Sequence, residues 1–293
     1  MEKARTRKLL CAALLSLAAT LAWIGADSAR SSTTEPFGLV KRILLQQGVQ
    51  ETAIHKAYKP PPELKLDTVS RFIRIREGEL DYDQYLQQSS LGMAEQFLKE
   101  HRRVLQRVER QYSVDRYTIA AILLVETRIG RYTGSTRALD ILSTLALLEQ
   151  QAYRDRVWGM LPAQDRRELE RSSTSKRLQR KADRARKDLI ALFEWYRERP
   201  EELASLQGSI MGAVGWPQFL PSSAMAYGVD GNGDGRLDLF DPADAVFSVA
   251  NYLESAGWEP SSSSAKEKAI LRYNRSRPYM RTVLEIAARL RRS

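Results

Sequence analysis

The sequence predicts a mostly α-helical protein. Three observations carry that reading: apolar residues recur at the i, i+3, i+4, i+7 spacing of a helix, no alternating strand pattern of useful length appears, and prolines and glycines cut the periodic stretches into helix-sized pieces. Phe37 to about Tyr58 reads as one helix with Val40, Ile43, Leu44 and Val49 on its apolar side, stopped by Pro60, Pro61 and Pro62. Leu66 to Leu80 reads as a short extended or irregular segment. From Tyr82 to Tyr112 the residues Ala94, Phe97, Leu98, Val104, Leu105 and Val108 again keep helical spacing. Ser113 to Arg131 is a further helix, with Ser113 or Asp115 able to cap its start and Gly130 supplying a stop. Ala138 to Leu148 is another. Arg154 to Arg199 is dense in charge, yet Leu178, Ala182, Ala185, Leu189, Leu192, Phe193 and Tyr196 hold one apolar stripe, as in an amphipathic helix docked on a domain. The last stretch, Ala265 to Leu290, reads as helix, break at Pro278, helix.

The 293 residues allow one large or two modest domains. Lys and Arg number 46 against 36 Asp and Glu, a formal charge of +10, which suits nucleic acid, an anionic membrane or an anionic polymer without choosing among them. The N-terminus narrows the choice. Lys3, Arg5, Arg7 and Lys8 precede an apolar run from Leu9 to Ala26 and then small and polar residues, the layout of a secretory signal, so residues 1–29 are expected to be a signal peptide or an uncleaved membrane anchor. The only cysteine, Cys11, lies within that run and follows Leu10, which argues against lipid attachment. The exported part is then expected to lack both disulfide and thiol nucleophile.

One carboxylate sits where a carboxylate is expensive. In SVDRYTIAAILLVETRIGR, Glu126 shares a helical stripe with Ile119, Ile122 and Leu123 and falls in the last turn. An apolar wall disfavours its charged form and raises its pKa toward what a general acid needs near neutral pH. The competing reading is a solvated glutamate paired with Arg128 or Arg131.

Downstream lies GSIMGAVGWPQFLPSS, Gly208 to Ser223. Its glycines permit close backbone approach, and Trp216 and Phe219 are placed to stack on sugar rings; by itself the segment also fits tight glycine-rich packing. Together, VETRIG, GAVGWPQFLPSS and the YNRSRPY stretch (Tyr273, Asn274, Ser276, Tyr279) resemble the lytic murein transglycosylases of the MltB type, whose patterns are VETxxG, GAxGxxQFxPSS and YNxSxxY. The resemblance spans about Phe37 to Leu290. It implies a lysozyme-like catalytic core at 101–147 and 200–293, an N-terminal helical part at 35–100 and a helical insertion at 148–199, all within a catalytic region 35–293.

The resemblance also implies the chemistry. Glycoside cleavage normally uses two carboxylates. No second acid stands out here, and Asp140, the nearest downstream, is equally explained as a helix-start residue or a partner of Arg137. In the resembled family none is needed: the C6 hydroxyl of the muramic acid attacks its own anomeric carbon and yields a 1,6-anhydro sugar. Glu126 would act first as acid, then as base. Gln218, Ser222, Ser223 and Trp216 would line the cleft, and Tyr273 and Asn274 would close it. Where the family often has tyrosine and glycine this chain has Trp216 and Pro217, and the proline removes a donor.

DGNGDGRLDLFD, Asp230 to Asp241, matches the first half of an EF-hand calcium loop. Asp230, Asn232 and Asp234 fall at positions 1, 3 and 5 with Gly235 at the sharp turn; Arg236 would offer its carbonyl, Asp238 a direct or water-mediated oxygen, and Asp241 position 12. Asp241, followed by Pro242, is also a plausible helix N-cap. In the resembled family such calcium is structural, and no organic cofactor is expected. With only His55 and His101, both expected on helix surfaces, zinc or Ser-His-Asp chemistry is poorly supplied.

The expectation is therefore a monomer exported to the periplasm of a Gram-negative bacterium, acting on peptidoglycan strands, with no nucleic acid partner and membrane contact only through an N-terminal anchor. Two rivals stand: a muramidase that uses water, and a calcium-dependent wall-binding protein without turnover.

Overall fold

The computed structural model describes residues 36–75 and 81–293. The expected signal or anchor at 1–29, with Cys11, and the end of the 66–80 stretch lie outside them. The chain enters through α1 (Gly38–Gln46) and α2 (Glu51–Ala57), two helices where the periodicity suggested one. Gly48 takes φ +84°, a left-handed conformation that ends α1 before the chain restarts. After the prolines, α3 (Leu66–Arg74) replaces most of the expected irregular segment. Leu66, Val69 and Ile73 stand at i, i+3 and i+7 and are buried, a stripe too short and too interrupted by charge to be plain in the sequence.

A 3-10 turn at Asp83–Leu86 leads into α4 (Gln88–Glu100), α5 (Arg102–Tyr112), α6 (Arg116–Thr127) and α7 (Ala138–Leu147). The charged stretch folds as α8 (Gln151–Met160), α9 (Ala163–Glu168) and the long α10 (Arg171–Trp195), whose predicted stripe from Leu178 to Phe193 is buried. A second 3-10 turn, Pro200–Ala204, is followed by α11 (Pro221–Tyr227), α12 (Pro242–Ser255), α13 (Ser263–Tyr273) and α14 (Arg277–Arg292). The expected break at Pro278 lies a few residues earlier. Pro278 sits in the first turn of α14, where its missing N–H leaves no bond unmade, and Ser276 caps that turn by accepting the Tyr279 N–H at 3.1 Å. Among the described residues the only strands are β1 (Thr136–Arg137) and β2 (Gln207–Gly208), antiparallel with Thr136 opposite Gly208. No described helix is long and apolar enough to cross a membrane.

Two apolar cores form. One surrounds α6 with α4, α5, α12, α13 and α14; the other joins α1 to α3 with α7, α8 and α10. A smaller cluster of Phe219, Ala224 and Leu239 bridges them, touched by Trp195 from α10, Tyr252 from α12 and Tyr273 from α13. Arg137 ties the second core together: it binds Asp140 and donates to the carbonyls of Pro60 and Pro61 at 3.1 and 2.8 Å. That settles Asp140 as its ion-pair partner.

Candidate active site

The centre of the site is the end of α6. Asp115 caps the helix by accepting the Thr118 N–H at 3.0 Å. Thr118 through Val125 and Thr127 are buried, so the helix is enclosed nearly all round and Glu126 alone breaks the pattern. Ile119, Ile122, Leu123 and Leu124 are each 0 % exposed. At roughly 1.5–3 kcal/mol per fully buried aliphatic side chain, they anchor the helix firmly enough to fix the carboxyl in space. Arg128, Ile129 and Gly130 all adopt positive φ, so the helix stops at once and the chain turns away from the carboxyl, two residues earlier than the predicted glycine stop.

Glu126 is half-buried and its carboxyl is pushed up to about 7 by burial; a hydrogen bond from Tyr279, Oη to Oε1 at 2.7 Å, opposes that shift. The arginines of the competing reading do not reach it. Arg128 donates to Gln84 at 2.5 Å and lies 5.6 Å from the centre of the Tyr85 ring. No acidic side chain among the described residues perturbs Glu126. Tyr273 and Tyr279 have pKa values well above the usual 10, raised by burial and then by the Glu126 charge, so both remain neutral donors.

The glycine-rich segment lies directly against this helix end. The Thr127 hydroxyl donates to the Trp216 carbonyl at 3.0 Å and accepts the Gly130 N–H at 2.9 Å. A side chain on Gly130 would meet Trp216 Cε2 at 2.0 Å, and one on Gly215 would meet Leu239 Cβ at 2.4 Å, which explains glycine at both. Val214 N–H bonds the Phe219 carbonyl at 2.8 Å, closing a tight loop in which Gln218 has φ +48°. The Gln218 amide nitrogen donates to the carbonyls of Thr133 and Gly215 at 3.1 and 2.9 Å, so both of its N–H groups are engaged.

The other predicted contacts separate. Tyr273 donates to the Pro217 carbonyl at 2.6 Å and packs on Phe219 and Tyr252, with ring centres 5.7 and 4.9 Å apart. Asn274, half-buried, ends α13. Trp216 packs on Phe97, ring centres 6.0 Å apart. Ser223 is half-buried at the start of α11, its N–H donating to the Leu220 carbonyl. Ser222 is held by Asp188 of α10, through both its N–H and its hydroxyl.

A family model described as "Transglycosylase SLT domain" matches residues 34–267. The chain belongs to that family. The chain is 33% identical over 162 residues to the membrane-bound lytic murein transglycosylase B of Escherichia coli (strain K12), a match covering 55% of this chain and 37% of that protein. It thus spans well under half the length of that relative. Among solved structures, the Escherichia coli lytic transglycosylase SLT35 in complex with calcium superposes with a TM-score of 0.70 at 20% identity, covering 89% of this chain and 94% of that one. SltB3 from Pseudomonas aeruginosa, in complex with NAG-anhNAM-pentapeptide, gives 0.67 at 20% identity, covering 87% and 79%. The mostly helical fold is therefore the lysozyme-like one of this family.

The acidic loop of this family member has the donors of a calcium loop over most of its length. Asp230 accepts N–H groups of Gly233, Asp234 and Gly235; Asn232 accepts that of Asp234, and Asp234 that of Arg236. Gly233 and Gly235 take φ +80° and +85° in this turn. Hard oxygen donors of this kind fit calcium, as do the Arg236 carbonyl and Asp238. Asp241 fits less well: its Oδ1 caps α12 by accepting the N–H groups of Ala243 and Asp244 at 2.8 and 3.1 Å. No three acidic or histidine side chains converge as a metal cluster among the described residues.

Sequence reasoning passed over two residues here. Tyr279 stood in the YNxSxxY pattern without a role, and its contact with Glu126 spans a sequence distance that no helical period reports. Asp244, 0 % exposed, accepts N–H groups from Gly231, Asn232 and Asp238, and so joins both ends of the acidic loop. A carboxylate three residues past the Asp241 cap was the available signal. His55 is exposed on α2, and His101 packs on Phe97 at 4.7 Å.

Proposed function

We propose that the protein is a peptidoglycan lytic transglycosylase in which Glu126 is the single catalytic carboxyl. The observation that carries this reading is a half-buried glutamic acid with its pKa raised to about 7 and no acidic partner among the described residues. Near neutral pH a useful fraction of it is protonated, so it can donate a proton to the glycosidic oxygen as the MurNAc–GlcNAc bond breaks. The carboxylate left behind then accepts the proton of the MurNAc C6 hydroxyl as that oxygen closes on C1 of the same sugar. The product is 1,6-anhydro-MurNAc; the ligand bound to SltB3 is likewise named as an anhydro sugar, anhNAM. An internal nucleophile removes the entropy cost of positioning a water and the need for a second carboxylate. Tyr279 orients the carboxyl and, staying neutral, donates to its ionised form. Gln218, Trp216, Tyr273 and Asn274 form the glycan-binding wall.

Calcium belongs to the same reading as a structural ion held by Asp230, Asn232, Asp234, Asp238 and the Arg236 carbonyl. It would cross-link the loop through charge. In this reading residues 148–199 are an insertion bracing the lysozyme-like core, residues 1–29 direct export to the periplasm, and the protein acts as a monomer.

The test is mass spectrometry of soluble products after isolated peptidoglycan is incubated with the protein and with Glu126→Gln. Anhydro-muropeptides from the unmutated protein alone support the proposal. Reducing-end muropeptides would make it a muramidase, and no product from either protein would favour wall binding without turnover.

A further inference from the structure

Asp188 is a buried charge that the proposed chemistry does not use. It lies on α10 with 1 % exposure, and burial raises its pKa against the hydrogen bonds from Ser222. Its Oδ1 accepts both the N–H and the hydroxyl of Ser222, at 3.1 and 2.5 Å, while Arg184, mostly in solvent, stands 3.9 Å from Oδ2. A carboxylate in such a place is costly unless its hydrogen bonds are made, and here Ser222 makes them. The Ser222 N–H, in the first turn of α11, would otherwise lack a partner within the helix.

Ser222 closes a short span whose other end is fixed to α6. Thr127 holds the Trp216 carbonyl, Tyr273 holds that of Pro217, and Gln218 follows in its left-handed conformation with its amide nitrogen engaged. The run from Trp216 to Ser222 is thus pinned between the Glu126 helix and the long helix of the insertion. We infer that Asp188 is a positioning residue for glycan binding: through Ser222 it sets the span that presents Gln218, and Ser222 is an anchor, not a sugar ligand. The inference rests on the proposed transglycosylase reading.

The test compares Asp188→Ala, Asp188→Asn and Ser222→Ala in the full chain, measuring KM and kcat on solubilised peptidoglycan together with melting temperature and the pH profile. Losing one or two hydrogen bonds at the anchor is expected to raise KM roughly three- to tenfold in Asp188→Ala, with kcat changed less than about threefold. Asparagine, which keeps an acceptor at the same place, is expected to restore KM. The alkaline limb set by Glu126 should not move in any variant. Binding of a peptidoglycan fragment to each substitution in a Glu126→Gln background, read by tryptophan fluorescence, should weaken in parallel with KM. If Asp188→Ala does not fold, Ser222→Ala, which keeps the backbone bond, carries the test with a roughly twofold rise in KM. An unchanged KM in folded Asp188→Ala or, where that variant does not fold, in Ser222→Ala, or a fall in kcat alone, overturns the inference while the transglycosylase reading stands. Absence of turnover in the unmutated protein would instead overturn that reading.

Discussion

Tyr279, in the first turn of α14, donates a 2.7 Å hydrogen bond to Oε1 of Glu126, in the last turn of α6. The bond favours the ionised carboxylate, so it works against the burial that raises the Glu126 pKa to about 7. Tyr279→Phe should therefore move the alkaline limb of activity upward, by about one pH unit if the bond contributes on the order of 1.4 kcal/mol to the charged form. The pH dependence of kcat decides it. A limb that stays in place would show that the phenol orients the carboxyl without tuning it.

The same shift links activity to stability. Glu126 has an unfolded value near 4.5 and a folded value of about 7, so below 4.5 the carboxyl is protonated in both states and carries no penalty. As pH rises from there to about 7 the unfolded chain ionises first, and stability is lost. The full shift would be worth roughly 3 kcal/mol, and partial exposure reduces that to about 1–2 kcal/mol. Glu126→Gln should accordingly melt a few degrees higher than the unmutated protein at pH 8 and at nearly the same temperature at pH 4. Differential scanning calorimetry at the two pH values checks this, and an equal offset at both would deny the raised pKa.

Much of this site was legible because its signals are local. Glu126 could be placed by counting turns from Ile119, and the stripe of α10 from Leu178 to Phe193 survived a dense charge background because its period is helical. What escaped was set by backbone dihedrals or by distance in sequence. Gly48 at φ +84° divides what looks like one helix, and Pro278 proves to be a starting residue, not a break. Ser222 reads as a polar residue in a motif, and only the fold brings Asp188 to it from 34 residues away. The fate of Arg128 was equally hidden: a left-handed φ of 50° swings it from Glu126 to Gln84.

Gly130 tests whether the turn after α6 shapes the site. It has φ +75°, and a Cβ there would lie 2.0 Å from Trp216 Cε2, inside the ring's own volume. Gly130→Ala must both strain the backbone and displace the indole, at a cost of about 2–4 kcal/mol. We expect a lower melting temperature, a change in tryptophan fluorescence and a loss of activity larger than the loss of folded protein. Gly159→Ala is the control, because nothing lies within 4 Å of a Cβ at that helical position. Equal behaviour of the two variants would mean that the turn accommodates a side chain by moving Trp216 freely.

The acidic loop offers its own optical probe. Trp195 Nε1 donates to the Leu237 carbonyl at 3.2 Å, between the donors Arg236 and Asp238, so an indole sits against the loop that is proposed to hold calcium. Arg236 is tied to Glu202 at 3.2 Å, and Asp244 binds the amides of Gly231 and Asp238, which ties the two ends of the loop to each other. Terbium, a hard cation with calcium's preference for oxygen, should therefore show sensitised emission on excitation of tryptophan, and added calcium should quench it by competition. Calcium should also raise the melting temperature as RT ln(1 + [L]/Kd) requires, by about 2.7 kcal/mol of stability at a hundredfold excess over Kd. Asp230→Ala removes a carboxylate that organises three loop amides, and both effects should disappear with it. Trp195→Phe should abolish the emission but keep the calcium-dependent rise in melting temperature. Emission that persists in Asp230→Ala would place the ion elsewhere, and the absence of both effects in the unmutated protein would leave the loop a self-bonded polar turn, its Asp241 serving α12 alone.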